Sequence, residues 1–272
     1  MASDTPTHDV EELKAADAKD VHRAVREEGE GELARPFRSL FWSGLAAGLA
    51  INASLISEAA LHERLPDAEW RDLVVGLGYP IGFVIVILGR MQFFTESTIT
   101  AMLPLVTHPS RRALTRTLRL WGIVLAANLI GTALAAAALA SGWLGDEGLK
   151  EAALAISIGM TALGPLETFV NAIPAGFLIA ILAWSLPNAR AEAFLVIFAV
   201  TYVVGIAGFS HSIVGSDQAF LLWFTGATGA SETLFALIVP AVFGNLVGGA
   251  GLFAILAHAQ VSAEMTEEAD EG

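Results

Sequence analysis

The sequence contains no cysteine. That absence excludes disulfide bonds, thiolate catalysis and cysteine-ligated metal centres. Charge is also scarce: 16% of the 272 residues are charged, against roughly a quarter in a soluble globular domain. No basic cluster is present and the net charge is −13, which argues against nucleic acid as a partner. No H-E-x-x-H pattern, G-x-S-x-G elbow or pair of membrane aspartates occurs, so an enzyme is not expected. No metal and no cofactor are expected either. The first 38 residues are polar and lack the apolar core of a signal peptide.

What the chain has is apolar length. Hydrophobic residues make up 54% of the sequence and the mean hydropathy is +0.61. Six runs reach spanning length, about 20 residues each: 39–60, 73–106, 118–142, 168–187, 192–226 and 233–258. The stretch 143–167 is amphipathic and reads as a short interfacial or re-entrant helix. This organisation predicts three parts. Residues 1–38 form a partly helical cytoplasmic segment, 39–258 a six-helix transmembrane domain in the lipid bilayer, and 259–272 an acidic cytoplasmic tail. Arginines cluster on one side: Arg23, Arg26, Arg35 and Arg38 before span one, Arg111, Arg112, Arg116 and Arg119 between spans two and three, and Arg190 between spans four and five. The other side holds Arg64, Arg71 and Lys150. The asymmetry places both termini in the cytoplasm. Trp42, Trp121, Trp184 and Trp223 read as belt residues near span ends.

Spans two and five are longer than a bilayer requires, and each carries a polar patch: GRMQFFTEST at 89–98 and GFSHSIVGS at 208–216. Irregular backbone at membrane depth is tolerated only where it is buried in protein or lines a cavity. Each span is therefore expected to be two half-helices joined by a break. After each break the pattern N-L-x-G-x-A appears, at Asn128–Gly131 and Asn245–Gly248. Gly89 precedes Asn128 by 39 positions and Gly208 precedes Asn245 by 37. A repeat of three spans inserts its second copy upside down, which predicts an inverted 3+3 repeat with its permeation site where the breaks meet. Asn128 and Asn245 themselves read as packing hydrogen bonds between closely approaching helices.

Phe93-Phe94-Thr95 after span two, Gly208-Phe209-Ser210-His211-Ser212 in span five, and the paired N-L-x-G motifs resemble the formate/nitrite transporter family over about residues 38–258. The resemblance implies an all-α, aquaporin-like fold of six transmembrane helices in an inner membrane. It implies a homopentamer whose protomers each carry a pore for small monovalent anions such as formate, nitrite or hydrosulfide, often with a proton. It places His211 at the pore centre, faced by Thr95 from the other break. The aquaporins proper are disfavoured, because neither break contains an Asn-Pro-Ala box.

The residues support such a pore on physical grounds. An anion leaving water for a dry slit loses much solvation free energy, and the loss shrinks if it crosses as a neutral acid. Histidine is the side chain suited to that proton exchange near neutral pH. Thr95 can cap the half-helix that follows it, and Ser210 or Ser212 the second; half-helix N-termini favour anions. Phe93, Phe94 and Phe209 can form dry constrictions, or simply pack the core.

The chain departs from the family at several positions. Arg90 and Glu96 stand where the family has small or weakly polar residues. Asn171 aligns with the family's lysine in span four, Gly215 with an asparagine after the central histidine, and Ser210 with a glutamate before it. Arg90 and Glu96 carry two readings: an ion pair across the loop, or an anion-attracting arginine with Glu96 on a proton path. The ion pair is the favoured expectation. Glu58 and His62 are assigned to the outer end of span one. Two rival functions stay open: the same fold passing a neutral solute or protonated weak acid, and a non-transporting membrane scaffold or sensor.

Overall fold

The structure, a computed structural model, describes residues 17–271, and every regular element among them is a helix. The chain begins with α1 (Ala18–Ala34), whose first turn is capped by Asp17 accepting from the Asp20 amide at 2.9 Å. Then follow α2 (Phe37–Arg64), α3 (Arg71–Leu88), α4 (Ser97–Thr107) and α5 (Arg111–Ala140). The second half comprises α6 (Glu147–Ile158), α7 (Pro165–Asn188), α8 (Ala193–Ile206), α9 (Ser212–Phe224) and α10 (Ala230–Ser262). Residues 1–16, where the sequence predicts the start of the N-terminal segment, lie outside the described residues.

Five of these helices, α2, α3, α5, α7 and α10, are long and apolar enough to cross a membrane; α4 and α8 are shorter apolar helices. The two overlong spans are each divided, as the polar patches require: residues 89–96 separate α3 from α4, and residues 207–211 separate α8 from α9. The termination chemistry is the same at both. Gly89, Arg90 and Met91 donate their amides to Ile85, Ile87 and Val86; Ala207, Gly208 and Phe209 donate theirs to Val203, Gly205 and Val204. Each partner in the second break lies 118 positions after its counterpart in the first. The left-handed residue that such a helix end needs is Gly208 in one case, φ 65°, and Arg90 in the other, φ 53°. Arg90, not Gly89, is therefore the counterpart of Gly208. Glycine adopts that conformation freely and arginine does so at a cost of about 1 kcal/mol.

Close helix pairing surrounds the breaks. The first half of α2 packs along α5, and α7 packs along α10. Gly48 and Gly176 permit these approaches: a Cβ on either would overlap the carbonyl oxygen of Asn128 or Asn245, respectively. α6 starts at an Asp146 cap, where Oδ1 accepts from Leu149 N at 3.0 Å, and buries Ala152, Ala153 and Ser157 against α2 and α9. Trp42, Leu134, Leu195, Phe235 and Leu256 are exposed on the outer surface, as lipid contact requires of apolar spans. Trp121, expected as a belt residue, has a partner within the protein. Its indole N–H donates to the Ser97 carbonyl at 2.9 Å and ties α5 to the start of α4.

Candidate functional site

The site is built by two asparagines before any of the expected pore residues enter it. Asn128 Oδ1 accepts from Phe94 N at 2.9 Å, while its Nδ2 donates to Gly44 O at 2.8 Å and Gln92 O at 3.0 Å. Asn245 Oδ1 accepts from Ser212 N at 2.8 Å, while its Nδ2 donates to Ala172 O at 2.8 Å and Ser210 O at 3.0 Å. Each amide thus satisfies one N–H and one C=O of a broken helix and clamps it to a neighbouring span. Both side chains are fully buried, where unpaired backbone groups would be costly. The expectation of plain packing bonds is too weak: these side chains replace the helical hydrogen bonds that the breaks give up.

The clamps bring the two breaks into contact through the expected pair. His211 Nε2 lies 3.0 Å from Thr95 Oγ1, and both residues are buried. His211 Nδ1 accepts from Ile213 N and Val214 N, at 3.3 Å each. That network assigns the hydrogen to Nε2, which then donates to Thr95. His211 is therefore the N-cap of α9, and neither Ser210 nor Ser212 takes that role. Thr95 does not cap α4 with its hydroxyl, because that hydroxyl faces His211. The Ser97 and Thr98 hydroxyls instead donate to the carbonyls of Phe94 and Thr95, at 2.7 Å each.

Aromatic rings enclose the imidazole. Phe93 stacks on it with centroids 5.5 Å apart, and Phe83 meets it edge-on at 5.0 Å. Phe83 and Phe93 are themselves in edge contact at 5.7 Å. Phe94 is buried beside them, its backbone held by Asn128. The sequence argument missed Phe83. Its signal was position: the apolar face of α3 immediately before the first break.

Two cavities adjoin α3, one at its last residues and one at its middle. One, of about 920 Å³, is lined by Glu28, Glu32, Arg90, Gln92, Glu96 and Thr100, among others. The other, of about 270 Å³, is lined by Glu58, Tyr79, Phe209, Ser210, His211 and Gln218, among others. Tyr79, midway along α3, lines the second cavity and Leu88, at its end, lines the first, a separation of about 13 Å at helical rise. The His211–Thr95 pair and the three phenylalanines stand between them. The linings correspond as the breaks do: Arg90, Met91, Gln92, Glu96 and Thr100 on one side match Gly208, Phe209, Ser210, Val214 and Gln218 on the other.

The expected Arg90–Glu96 ion pair is not formed. Arg90 pairs with Glu28 of α1, its side chain 75% exposed. Arg90, left-handed at φ 53°, lines the first cavity and reaches out of the break to α1. Glu96 lines the same cavity without that partner. α1 is also held by Glu32, which accepts from Gln92 Nε2 at 2.8 Å and Thr100 Oγ1 at 2.6 Å. Burial raises the pKa of Glu32, and the two hydrogen bonds act against that shift. At the second break, Asn171 Nδ2 donates to Gly208 O at 2.6 Å and Ser210 Oγ at 3.2 Å. Asn171 thus pins the loop where a lysine is expected from the family pattern. Ser212 Oγ is buried without a hydrogen-bond partner.

These features define an all-helical membrane protein in which two matched helix breaks meet between two cavities. The sequence profile described as formate/nitrite transporter matches residues 19–259. The chain is 36% identical over 248 residues to the inner membrane protein YfdC of Escherichia coli (strain K12), covering 91% of this chain and 80% of that protein. It is 24% identical over 246 residues to the formate channel FocA of Haemophilus influenzae (strain ATCC 51907 / DSM 11121 / KW20 / Rd), covering 79% of this chain and 84% of that one. Two solved structures share the fold at 19% identity. A pentameric formate channel with formate bound aligns with TM-score 0.69 over 84% of this chain and 98% of its own. An FNT family ion channel aligns with TM-score 0.66 over 88% and 94%. The chain belongs to the formate/nitrite transporter family.

Proposed function

We propose that this protein is a channel or transporter for small monovalent anions, formate and nitrite among them, in the inner membrane. The path runs from the first cavity, past His211 and Thr95 within the phenylalanine wall, to the second cavity. The single observation that carries this reading is the His211–Thr95 contact at 3.0 Å, formed where the two breaks meet. The matching hydrogen bonds of the breaks, the matching asparagine clamps and the matching cavity linings support an inverted 3+3 repeat. In that repeat α3 with α4 and α8 with α9 each count as one broken span, giving six. The arginine asymmetry supports cytoplasmic termini, so that the first cavity faces the cytoplasm. The fold likeness to a pentameric formate channel supports a homopentamer.

His211 holds a hydrogen at Nε2, and the rings of Phe83 and Phe93 exclude water around it, so an anion meets a hydrogen-bond donor at the driest point, and a proton passed to the anion from the imidazole is one that the ring has taken up from solvent. Met91 and Phe209, at corresponding places on the two sides, flank this segment. A second reading, passage of a neutral weak acid or solute, is favoured by the carboxylates Glu32 and Glu96 in one cavity and Glu58 in the other. The test is flux into proteoliposomes for formate, nitrite, hydrosulfide and water, with and without a pH gradient. Anion flux whose pH dependence flattens in His211→Ala is expected. Absence of flux for every anion would reject the reading, and an unchanged pH dependence in His211→Ala would reject the relay.

A further inference from the structure

Glu58 is the one carboxyl lining the 270 Å³ cavity, and the site described above gives it no role. It lies near the end of α2, as expected, and faces the same space as His211. It is 7% exposed, and its Oε2 is buried without a hydrogen-bond partner. Thr168 Oγ1, in the same lining, is also buried and unpartnered. Two polar groups with unused hydrogen-bonding capacity therefore converge on one cavity.

Among the described residues, no cation opposes Glu58. α3 contributes Arg71, Asp72 and Tyr79; Arg71 is engaged by the His62 carbonyl and by Asp67 at 4.0 Å. α6 contributes Glu147, Lys150 and Glu151, with Lys150 paired to Glu147 at 2.7 Å. α9 contributes Asp217, which accepts from Asn52 Nδ2 at 2.7 Å. α5 carries its charges, Arg111, Arg112, Arg116 and Arg119, in its first turns, on the side of α1. His211 faces the cavity from the second break. Among the described residues, no ion pair includes Glu58.

We infer that Glu58 is a specificity-determining proton donor that passes on from this cavity only anions able to accept a proton. The inference rests on the anion-path reading above. Two negative charges without a counter-ion do not share a small low-dielectric cavity, so an anion beside Glu58 is stable there only with one proton between them, and it moves on toward the dry segment uncharged only if that proton passes to it. In the transfer the O–H bond of the Glu58 carboxyl breaks and an O–H bond forms on the permeant oxyanion. The permeant becomes a neutral acid, the Glu58 carboxylate takes up a proton from solvent, and no electrons are exchanged. Conjugate bases of weak acids, such as formate, nitrite and acetate, meet that condition. Nitrate and chloride, which stay ionised, do not.

The test uses the full-length protein in proteoliposomes holding a pH-sensitive dye, with formate and nitrate supplied in parallel. The wild type should admit formate faster than nitrate by about tenfold or more, with one proton per formate. Glu58→Gln keeps the shape and removes the exchangeable proton. It should bring the two rates together and uncouple the proton, while Glu58→Asp should restore the preference. Wild-type nitrate flux equal to formate flux overturns the inference without any variant. So does a Glu58→Gln protein with its formate preference and proton coupling intact, and that result leaves the anion reading standing. No wild-type flux of any anion overturns both. Flux of ammonium in place of anions, lost in Glu58→Gln, marks a cation site and also overturns both.

Discussion

Replacing Asn128 by alanine removes one acceptor and two donor bonds at once, to Phe94 N at 2.9 Å, Gly44 O at 2.8 Å and Gln92 O at 3.0 Å. A hydrogen bond in a folded protein contributes about 1 kcal/mol net, so the three together contribute about 3 kcal/mol. The figure is a floor, because the freed amide and carbonyls stay buried and nothing else in reach satisfies them. For chains approaching this length, 1 kcal/mol moves the melting temperature by about 2–4 °C, which gives a drop of about 6–12 °C. Asn245→Ala removes bonds of 2.8, 2.8 and 3.0 Å and should cost the same. Asn128→Asp keeps the acceptor for Phe94 N but loses both donors, and should be at least as unstable. The assay is thermal unfolding of the detergent-solubilised protein followed by size-exclusion recovery, with formate flux measured on the same preparations. The reasoning is refuted if Asn128→Ala melts within about 1 °C of wild type, or if one asparagine matters and the other does not.

Two further outcomes follow from the N-terminal side of the molecule. Arg90→Gly and Arg90→Ala both lose the exposed pair with Glu28, worth at most about 1 kcal/mol. Only glycine also relieves the left-handed φ of 53°. Arg90→Gly should therefore be more stable than Arg90→Ala by about 1 kcal/mol, while formate flux falls to a similar extent in both; a glycine variant melting below the alanine variant contradicts the strain argument. The second outcome concerns α1. His22 packs against Trp184 and sits 3.2 Å from His258; burial first, then His258 and Arg26, bring its pKa down to about 4. The docked helix thus binds this proton more weakly than the free one. Its contribution is whole above the ordinary histidine pKa near 6.5 and is lost as pH falls from there toward about 4. Amide hydrogen exchange in α1, corrected for intrinsic rates, should show less protection at pH near 5 than near 7.5, and His22→Leu should abolish the difference. Equal pH sensitivity in His22→Leu would locate the switch elsewhere.

Much of the fold was legible because membrane depth imposes strong local rules. Apolar length marks the spans, and a polar patch inside an overlong span marks a break, since water is absent to pair the backbone. Thr95, His211, Phe93 and Phe94 stood within those patches and are brought together, whereas Phe209 lines the second cavity without joining the rings around His211. What local windows do not contain is the choice of distant partners. Arg90 and Glu96 are close in sequence, yet the guanidinium reaches Glu28 on a helix that precedes the first span. The caps went astray for a related reason. Serine and threonine are the common N-caps, but the imidazole of His211 accepts the first amides of α9. The Thr95 hydroxyl is then left to face His211 Nε2, the hydrogen that the proposed relay uses.

The burial of Glu58 is the feature that its place along the helix does not reveal. Counted along α2, Glu58 lies near the end of a 28-residue helix, and proximity to an end suggests a solvated carboxylate. The second cavity, however, penetrates beside that end as far as His211, so position along a helix and depth in the dry part of the molecule are different coordinates. On the other side, Glu32 and Glu96 line the first cavity without blocking it. Carboxyls thus flank the histidine from both directions, and the family's lysine position holds Asn171. An anion in the first cavity meets Arg35, Arg90 and Arg190 among the carboxyls, whereas one in the second meets Glu58 and no lysine or arginine. Steering by positive charge can then act in the first cavity but cannot be the means of selection in the second. Proton transfer is the interaction by which an acidic lining favours an anion. On that argument the acidic lining of the second cavity and a place in the formate/nitrite transporter family are compatible, and in the proposed path the permeant's ability to take up a proton is the property on which selection acts.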